Sequence, residues 1–180
     1  CKVLEILTQD GHITGVKTIN GTYAADAVIL CAGGASYPGT GSDGGGAKLA
    51  AKLGHNIIPL KPSLVPLESD YPYVEALQGL SLRNVEATLL ADGKKIAKEF
   101  GEMLFTHHGV SGPTVLTLSS KINRQDFSQL KISIDLKPAL NEKELDLRVQ
   151  RDFAEFSNKQ FSNSLDNLLP RSLISVILKK

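Results

Sequence analysis

The chain has 180 residues and a net charge of +1, with 42% hydrophobic and 22% charged residues. This length suits one domain or two small ones, and the near-neutral charge gives no reason to expect nucleic acid or an acidic membrane surface as a partner. No apolar run of about 18 residues is present to cross a bilayer. Two cysteines, Cys1 and Cys31, do not make a disulfide framework, so we expect a protein of the reducing cytoplasm.

The first 25 residues predict a small antiparallel meander. Residues 3–7 and 13–19 are strand candidates, with Asp10-Gly11 as the turn between them. Asn20-Gly21 is a second hairpin signal, and the chain returns at residues 22–24. Three strands of any small sheet would also fit this pattern.

A glycine-rich stretch lies between a predicted strand and a predicted helix. Residues 27–32 form an apolar run that predicts a buried strand, with the Cys31 thiol inside it. Glycines are dense in residues 39–46, and residues 47–54 predict a helix that ends at Gly54. A strand, a glycine loop and a helix in this order are typical of an α/β protein that presents backbone N–H groups to a cofactor.

The start of this helix disfavours a phosphate ligand. Ser42 or Asp43 is the predicted N-cap, and the carboxylate already occupies the positive end of the helix dipole. Residues 39–44 match G-x-G-x-x-G as a string, but they begin several residues after the strand. Ala47 stands where a P-loop needs lysine. An uncharged, hydrogen-bonding ring edge is therefore a better ligand for this loop than a pyrophosphate.

Residues 56–72 contain four prolines, which exclude a helix. We interpret them as a crossing segment with a domain boundary near Lys61; an edge strand of the same domain is the alternative. Beyond it, residues 83–91 alternate, Asp92-Gly93 turns the chain, and residues 95–100 return as the second strand of a hairpin.

Further strands are predicted at residues 103–106 and 130–136, and a helix begins near Pro113. The inward residues of that helix are expected to be Val115, Leu116 and Leu118.

Residues 139–180 predict three helices. The first begins with a capping box at residues 141–144 and carries an apolar face of Leu145, Val149, Phe153 and Phe156. The second covers residues 162–169, and Pro170 opens a third whose inward residues are Leu173, Ile174, Ile177 and Leu178. Because the chain begins with Cys-Lys-Val and ends on Lys-Lys in a helix, we expect an internal piece of a longer protein.

Few side chains suggest chemistry. His107 and His108 are adjacent and would point to opposite faces of a strand, so they cannot share one metal without a bend, and we expect no metal site. Either histidine is a candidate site residue because glycines follow at once. Tyr37 could stack on a planar ligand or simply fill the loop. Ser111 lacks the G-x-S-x-G frame of a nucleophile, and catalytic residues stay unassigned.

Two long motifs carry a family resemblance. Residues 28–46 read Val-Ile-Leu-Cys-Ala-Gly-Gly-Ala-Ser-Tyr-Pro-Gly-Thr-Gly-Ser-Asp-Gly-Gly-Gly, followed by Gly-His at 54–55 and Lys-Pro-Ser-Leu-Val-Pro-Leu at 61–67. Residues 101–113 read Gly-Glu-Met-Leu-Phe-Thr-His-His-Gly-Val-Ser-Gly-Pro. In this order they resemble the bacterial BaiN-like NAD(P)/FAD-dependent oxidoreductases, a flavoprotein family that includes aminoacetone oxidase.

The resemblance implies a mixed α+β fold. Residues 1–60 would be part of a Rossmann-like FAD domain, residues 61–138 a β-barrel-like insertion domain, and residues 139–180 an incomplete helical subdomain. The cofactor would be FAD, held in part by Ala32, Gly33, Gly34, Thr40, Gly41, Asp43 and Gly44. Substrate-side candidates are Tyr37, His107 and His108.

The expected function is flavin-mediated hydride transfer on a small-molecule substrate, with NAD(P)H as a candidate partner and without nucleic acid or membrane. Since the family's N-terminal and C-terminal glycine motifs are absent from these residues, we expect the 180-residue chain alone to be inactive and free of FAD. The alternative is a non-enzymatic ligand- or protein-binding domain in which the glycine loop is structural.

Overall fold

The structure is a computed structural model and describes residues 1–122 and 129–179. It divides into two compact units, residues 1–60 and 61–180. The second unit contains both the predicted barrel-like region and the predicted helical region. No helix among the described residues is long and apolar enough to cross a membrane.

The first unit contains a three-stranded antiparallel sheet. Its strands are β1 (Val3–Gln9), β2 (His12–Thr18) and β3 (Gly21–Ala24), in that spatial order. Asp10 and Gly11 have φ of 50° and 79°, which is the geometry of the two-residue hairpin turn expected there. The predicted meander is confirmed.

Helix α1 (Gly45–Lys52) follows the glycine loop and ends in a Schellman motif. Gly54, with φ of 90°, donates its N–H to Ala51, and the N–H of His55 reaches Ala50. The predicted C-terminal glycine is therefore confirmed. The N-cap is Gly44 rather than Ser42 or Asp43, because a left-handed glycine turns the chain into the helix.

The predicted buried strand at residues 27–32 is wrong for this structure. These residues form neither helix nor strand, Ile29 is 88% exposed, and Cys31 is an exposed free thiol. A central strand needs neighbouring strands for its backbone groups and a cover for its side chains. The only sheet of the first unit among the described residues consists of β1, β2 and β3, and it supplies neither.

The second unit is built on a curled, five-stranded antiparallel sheet. Its strands, in chain order, are β4 (Leu67–Glu68), β5 (Ser81–Ala91), β6 (Lys94–Phe105), β7 (Gly109–Ser111) and β8 (Leu130–Asp135). The spatial order is β4-β7-β6-β5-β8, so β4 and β8 are the edges. The alternation predicted for β5 is confirmed, because Val85, Ala87 and Leu89 are all buried.

The two strands predicted at residues 95–100 and 103–106 are in fact one strand, β6. Gly101, with φ of 150°, lies opposite an irregularity of β5, which has the extra residue between Leu82 and Val85 and places Asn84 at a φ of 54°. The Thr114 hydroxyl donates a 2.7 Å hydrogen bond to the Glu102 carbonyl next to this glycine. The strand therefore continues through Gly101 without a break.

The described part of this unit also contains a 3-10 turn at Glu75–Leu77 and four α-helices: α2 (Pro113–Ile122), α3 (Glu142–Glu155), α4 (Phe161–Ser164) and α5 (Arg171–Ile177). Val115 and Leu118 of α2 are fully buried, as predicted, whereas Leu116 is half-buried. The capping box of α3 is confirmed, with both hydrogen bonds between Asn141 and Glu144 at 3.0 Å.

The last two helices are shorter than predicted. Helix α4 ends at Ser164, and turns continue from there to Pro170. Pro170 is the N-cap of α5, but Ile177 and Leu178 stay largely exposed because α5 ends beside them. The residues of α5 that are buried are Ile174 and Val176.

Helix α5 joins two hydrophobic clusters. Ile174 packs with Leu165 and Leu168 of the helical region. Val176 packs with the sheet cluster, which also contains Leu82, Val85, Met103, Phe105, Val110 and Val115. One short helix thus ties the helical region to the sheet.

The α3 capping box provides a stability test. Asn141→Ala removes the side chain that accepts the Glu144 N–H, so we expect the free energy of unfolding to fall by about 1 kcal/mol. The exposed Asn158 is a matched control, and Asn158→Ala should change it by less than about 0.5 kcal/mol. Urea denaturation followed by circular dichroism measures both. Equal values for the two variants would contradict the role assigned to the cap.

Candidate cofactor loop and histidine pocket

The glycine loop of the first unit folds back on itself. Residues Pro38–Thr40 form a single 3-10 turn, and Tyr37 pairs with Ser42 across it. At its base the Gly44 N–H donates a 3.0 Å hydrogen bond to the Gly34 carbonyl. The loop is therefore an ordered reversal of the chain, with its two ends side by side.

Three glycines make this reversal possible. Gly33, Gly41 and Gly44 have φ of 67°, 97° and 74°, a region in which other residues are strained. A Cβ on Gly46 would lie 3.0 Å from the Ala32 Cβ, so α1 begins in close contact with the chain before the loop. The structure brings Ala32, Gly33, Gly34 and Gly44 together at the base of the loop.

The outer surface of the loop is open. The Tyr37 side chain is 68% exposed, and a Cβ on Gly34 would meet nothing within 4 Å. The Thr40 hydroxyl is already used within the loop, because it donates to the Tyr37 carbonyl at 3.1 Å. The surface available to a ligand is therefore the backbone near Gly34 and the tyrosine ring.

Asp43 lies at the start of α1 and is tied down there. Its Oδ1 accepts the Gly45 N–H at 2.8 Å, and Oδ2 lies 3.7 Å from Lys2 Nζ. The Gly45 hydrogen bond and the Lys2 charge hold the pKa of Asp43 below its ordinary value. A carboxylate at this place disfavours a phosphate, in agreement with the sequence argument.

The two histidines lie in the second unit, where both line a polar pocket formed by residues 68–72, Val74, Glu75, His107 and His108. His107 Nδ1 is 3.3 Å from Gln78 Oε1 and 3.9 Å from Glu75 Oε1. The His107 and His108 rings stand edge to face, with their centroids 4.5 Å apart. Because Nδ1 of His107 faces Gln78, Nε2 is the nitrogen that can reach a ligand.

Tight backbone packing fixes the segment that carries this pair. A Cβ on Gly109 would overlap the Leu67 carbonyl oxygen, and one on Gly112 would lie 2.9 Å from the Met103 Cα. The Ser69 N–H donates to the His108 carbonyl at 3.0 Å. The histidines therefore stand on a rigid turn between β6 and β7.

The groups around these histidines come from distant parts of the chain and were not predicted from the sequence. The polar pocket is lined by the carboxylate residues Glu68, Asp70 and Glu75 together with both imidazoles. Among the described residues, no group of three or more His, Cys, Asp or Glu side chains is arranged to hold a metal ion. The structure places the other candidates, Tyr37 and the cofactor set, in the first unit.

The family of this chain follows from its match to a known domain. Residues 61–180 match the family model described as "HI0933-like protein barrel and H2TH domain". The chain belongs to the HI0933-like family. This family lies among the flavoprotein oxidoreductases, and the curled antiparallel sheet of the second unit agrees with its barrel domain. The sequence predicted a flavoprotein family, and this coarse prediction is confirmed. The finer prediction of a BaiN-like enzyme goes beyond this match.

The HI0933-like chain is similar to three curated proteins. The "Ribosomal RNA dihydrouridine synthase" of Escherichia coli is 33% identical over 94% of this chain and 41% of its own length. The protein of the same name from Haemophilus influenzae is 33% identical over 98% and 42%. The "3-dehydro-bile acid delta(4,6)-reductase" of Clostridium scindens is 29% identical over 87% and 39%. The chain therefore spans about two fifths of the length of these relatives.

The pKa of Asp43 provides a pH test of the loop. A lowered folded-state pKa stabilises the loop above the ordinary pKa of aspartate, and the contribution is lost as pH falls through the folded value. We expect a carboxyl NMR titration to give a pKa below the ordinary 3.8. Lys2→Gln should raise it part of the way, because the Gly45 hydrogen bond remains. A value at or above the ordinary one would contradict this geometry.

The packing at Gly109 provides a second test. Gly109→Ala should lower the free energy of unfolding by about 2 kcal/mol or more, because the methyl group overlaps backbone of β4. Gly93→Ala is the control, since a Cβ there meets nothing within 4 Å and only its φ of 78° opposes it, at about 1 kcal/mol. Denaturation curves separate the two. A milder effect at Gly109 than at Gly93 would rule out the tight turn.

Proposed function

We propose that the protein containing this chain is an FAD-dependent oxidoreductase that reduces a carbon–carbon double bond conjugated to a carbonyl group. The observation that carries the proposal is the similarity, over nearly the whole chain, to two kinds of enzyme. One is named as a dihydrouridine synthase and the other as a bile acid reductase. Formation of dihydrouridine saturates the double bond of a uracil ring, and a delta(4,6)-reductase acts on double bonds of a steroid ketone. Both reactions add a hydride and a proton across an activated alkene.

The residues of the loop fit an isoalloxazine ring edge. The Gly34 backbone lies open to solvent and without a Cβ, beside an exposed tyrosine ring. The Asp43 carboxylate is fixed at the helix start, where it would repel the phosphates of FAD. In this proposal Ala32, Gly33, Gly34, Thr40, Gly41, Asp43 and Gly44 therefore lie along the flavin rather than the pyrophosphate.

Bound FAD would supply the hydride, and NAD(P)H is the proposed source of its electrons. In the first unit, Tyr37 offers a flat apolar surface for a planar ligand. In the second unit, His107 is a candidate proton donor through Nε2, since its Nδ1 faces Gln78 and Glu75. His108 remains a substrate-side candidate.

We propose a small molecule as the substrate, in the cytoplasm and without nucleic acid or membrane. A uridine base in RNA is the second candidate, favoured by the names of the two 33% identical relatives. The finer relationship to BaiN-like enzymes is also part of the proposal. Its support is the pair of motifs at residues 28–46 and 101–113.

The decisive experiment uses the full polypeptide that contains this chain, reduced with NAD(P)H under anaerobic conditions. We expect a yellow protein that NAD(P)H bleaches and that regains its colour when an unsaturated ketone is added, with loss of the ketone's ultraviolet absorbance. A uridine-containing ribosomal RNA fragment forms the second arm, read by mass spectrometry as a gain of two hydrogens. A colourless protein without either activity would favour a non-enzymatic binding domain.

Gly34→Ala sharpens this test. The added methyl meets no protein atom, so stability should be unchanged, but FAD affinity should fall about tenfold if the flavin lies against this backbone. Ala51→Val on the exposed side of α1 adds bulk without touching the loop surface and should bind FAD normally. Equal FAD affinity in both variants would remove the loop from the cofactor site.

A further inference from the structure

The second unit contains an apolar chamber of about 690 Å³. All five strands contribute to its lining, and α5 closes it from the other side. The aliphatic and aromatic lining residues include Leu82, Phe105, Val110, Ile132, Ile134 and Leu173. A volume of this size lies within the range of about 300–1,000 Å³ that is typical of small-molecule sites.

The chamber adjoins the polar pocket that contains the two histidines. Residues 68–71 and Val74 line both spaces, so an apolar space and a polar space adjoin along this segment. The polar pocket measures about 630 Å³. A ligand that fills both spaces is therefore amphipathic, with its apolar body in the chamber.

The charges that line the polar pocket favour a ligand with a positively charged polar group. Three carboxylate residues, Glu68, Asp70 and Glu75, line the polar pocket, whereas Lys131 is the one lysine or arginine among the described lining residues of the two spaces. Like charges would oppose a carboxylate or phosphate ligand there, and an ammonium group would be attracted.

An aromatic ring lies at the junction of the two spaces. Tyr71 lines both of them and packs edge to face against Tyr73, with the ring centroids 5.5 Å apart. Aromatic faces attract ammonium groups and also tolerate alkyl chains. This is a second reason, separate from the carboxylates, to expect a cation with an apolar body.

We propose that the second unit binds a small amphipathic cation, with its apolar body in the chamber and its ammonium group among Glu68, Asp70 and Glu75. The inference does not depend on the proposed function, because it needs neither FAD nor any redox step. It assigns a chemical role to Glu68 and Asp70, which lie in the predicted crossing segment at residues 56–72, and to Glu75 just after it.

The test uses the 180-residue chain and three probes that share one tail, namely decylammonium, decanol and decanoate, each below its micelle concentration. Methyl NMR and calorimetry measure binding. We expect decylammonium to bind about tenfold more tightly than decanoate, because three exposed carboxylates each attract the ammonium group weakly and repel the carboxylate. Decanol should be intermediate, and shifts should concentrate on Leu82, Val110 and Ile134.

Variants separate the two ends of the site. Glu68→Gln combined with Asp70→Asn and Glu75→Gln should bring the cation and anion affinities to within about threefold of each other. Glu155→Gln, an exposed carboxylate on α3, is the control and should leave the preference unchanged.

Ile134→Trp should occupy part of the chamber and weaken all three probes about tenfold, since the CH₂ groups that it excludes lose their apolar contacts. Ser133→Trp, on the opposite face of the same strand, should leave binding intact. If Ile134→Trp does not fold, as judged by its amide spectrum, Leu173→Phe from α5 replaces it.

Equal or tighter binding of decanoate would overturn the proposal, as would binding that the chamber variant leaves unchanged. Absence of binding by all three probes would also overturn it. A concentration-dependent dimer in sedimentation that excludes the probes would assign the chamber to a second copy of the chain instead.

Discussion

The antiparallel pairing of β5 with β6 is the interaction on which the second unit depends. These are its two longest strands, joined by a tight turn in which Asp92 and Gly93 have φ of 49° and 78°. Every other strand attaches to this hairpin, since β8 pairs with β5, and β7 pairs with β6 and carries β4. Helix α2 packs against β6. The chamber exists because the hairpin presents Leu82, Leu89 and Phe105 to one side.

Features determined by nearby residues could be predicted from the sequence. The turns at Asp10-Gly11 and Asp92-Gly93 need positive φ at two adjacent positions, and the capping box needs Asn141 and Glu144 at one spacing. The same holds for the glycine end of α1. In each case the residues that cause the structure are close together in the sequence, so the structure can be predicted from the local pattern alone.

Features that depend on distant partners could not be predicted in this way. Residues 27–32 are apolar enough for a central strand, yet a strand requires neighbours that no local pattern reveals. The sequence around Gly101 is likewise the same whether a strand ends there or continues, and only the pairing of β6 with β5 decides between the two. Likewise, β4 brings Glu68 and Asp70 beside His107 only through pairing with β7. The polar pocket therefore could not be predicted without the order of the strands in the sheet.

The two candidate sites share one electrostatic property. In the first unit Asp43 fixes a negative charge at the helix start, and in the second unit three carboxylates line the pocket beside the histidines. Neither place suits a phosphate group, whichever substrate the protein uses. An RNA substrate would therefore have to keep its phosphates away from both places and find positive charge for its backbone elsewhere. A small neutral or cationic molecule carries no phosphate, and this difference is part of the support for proposing a small-molecule substrate.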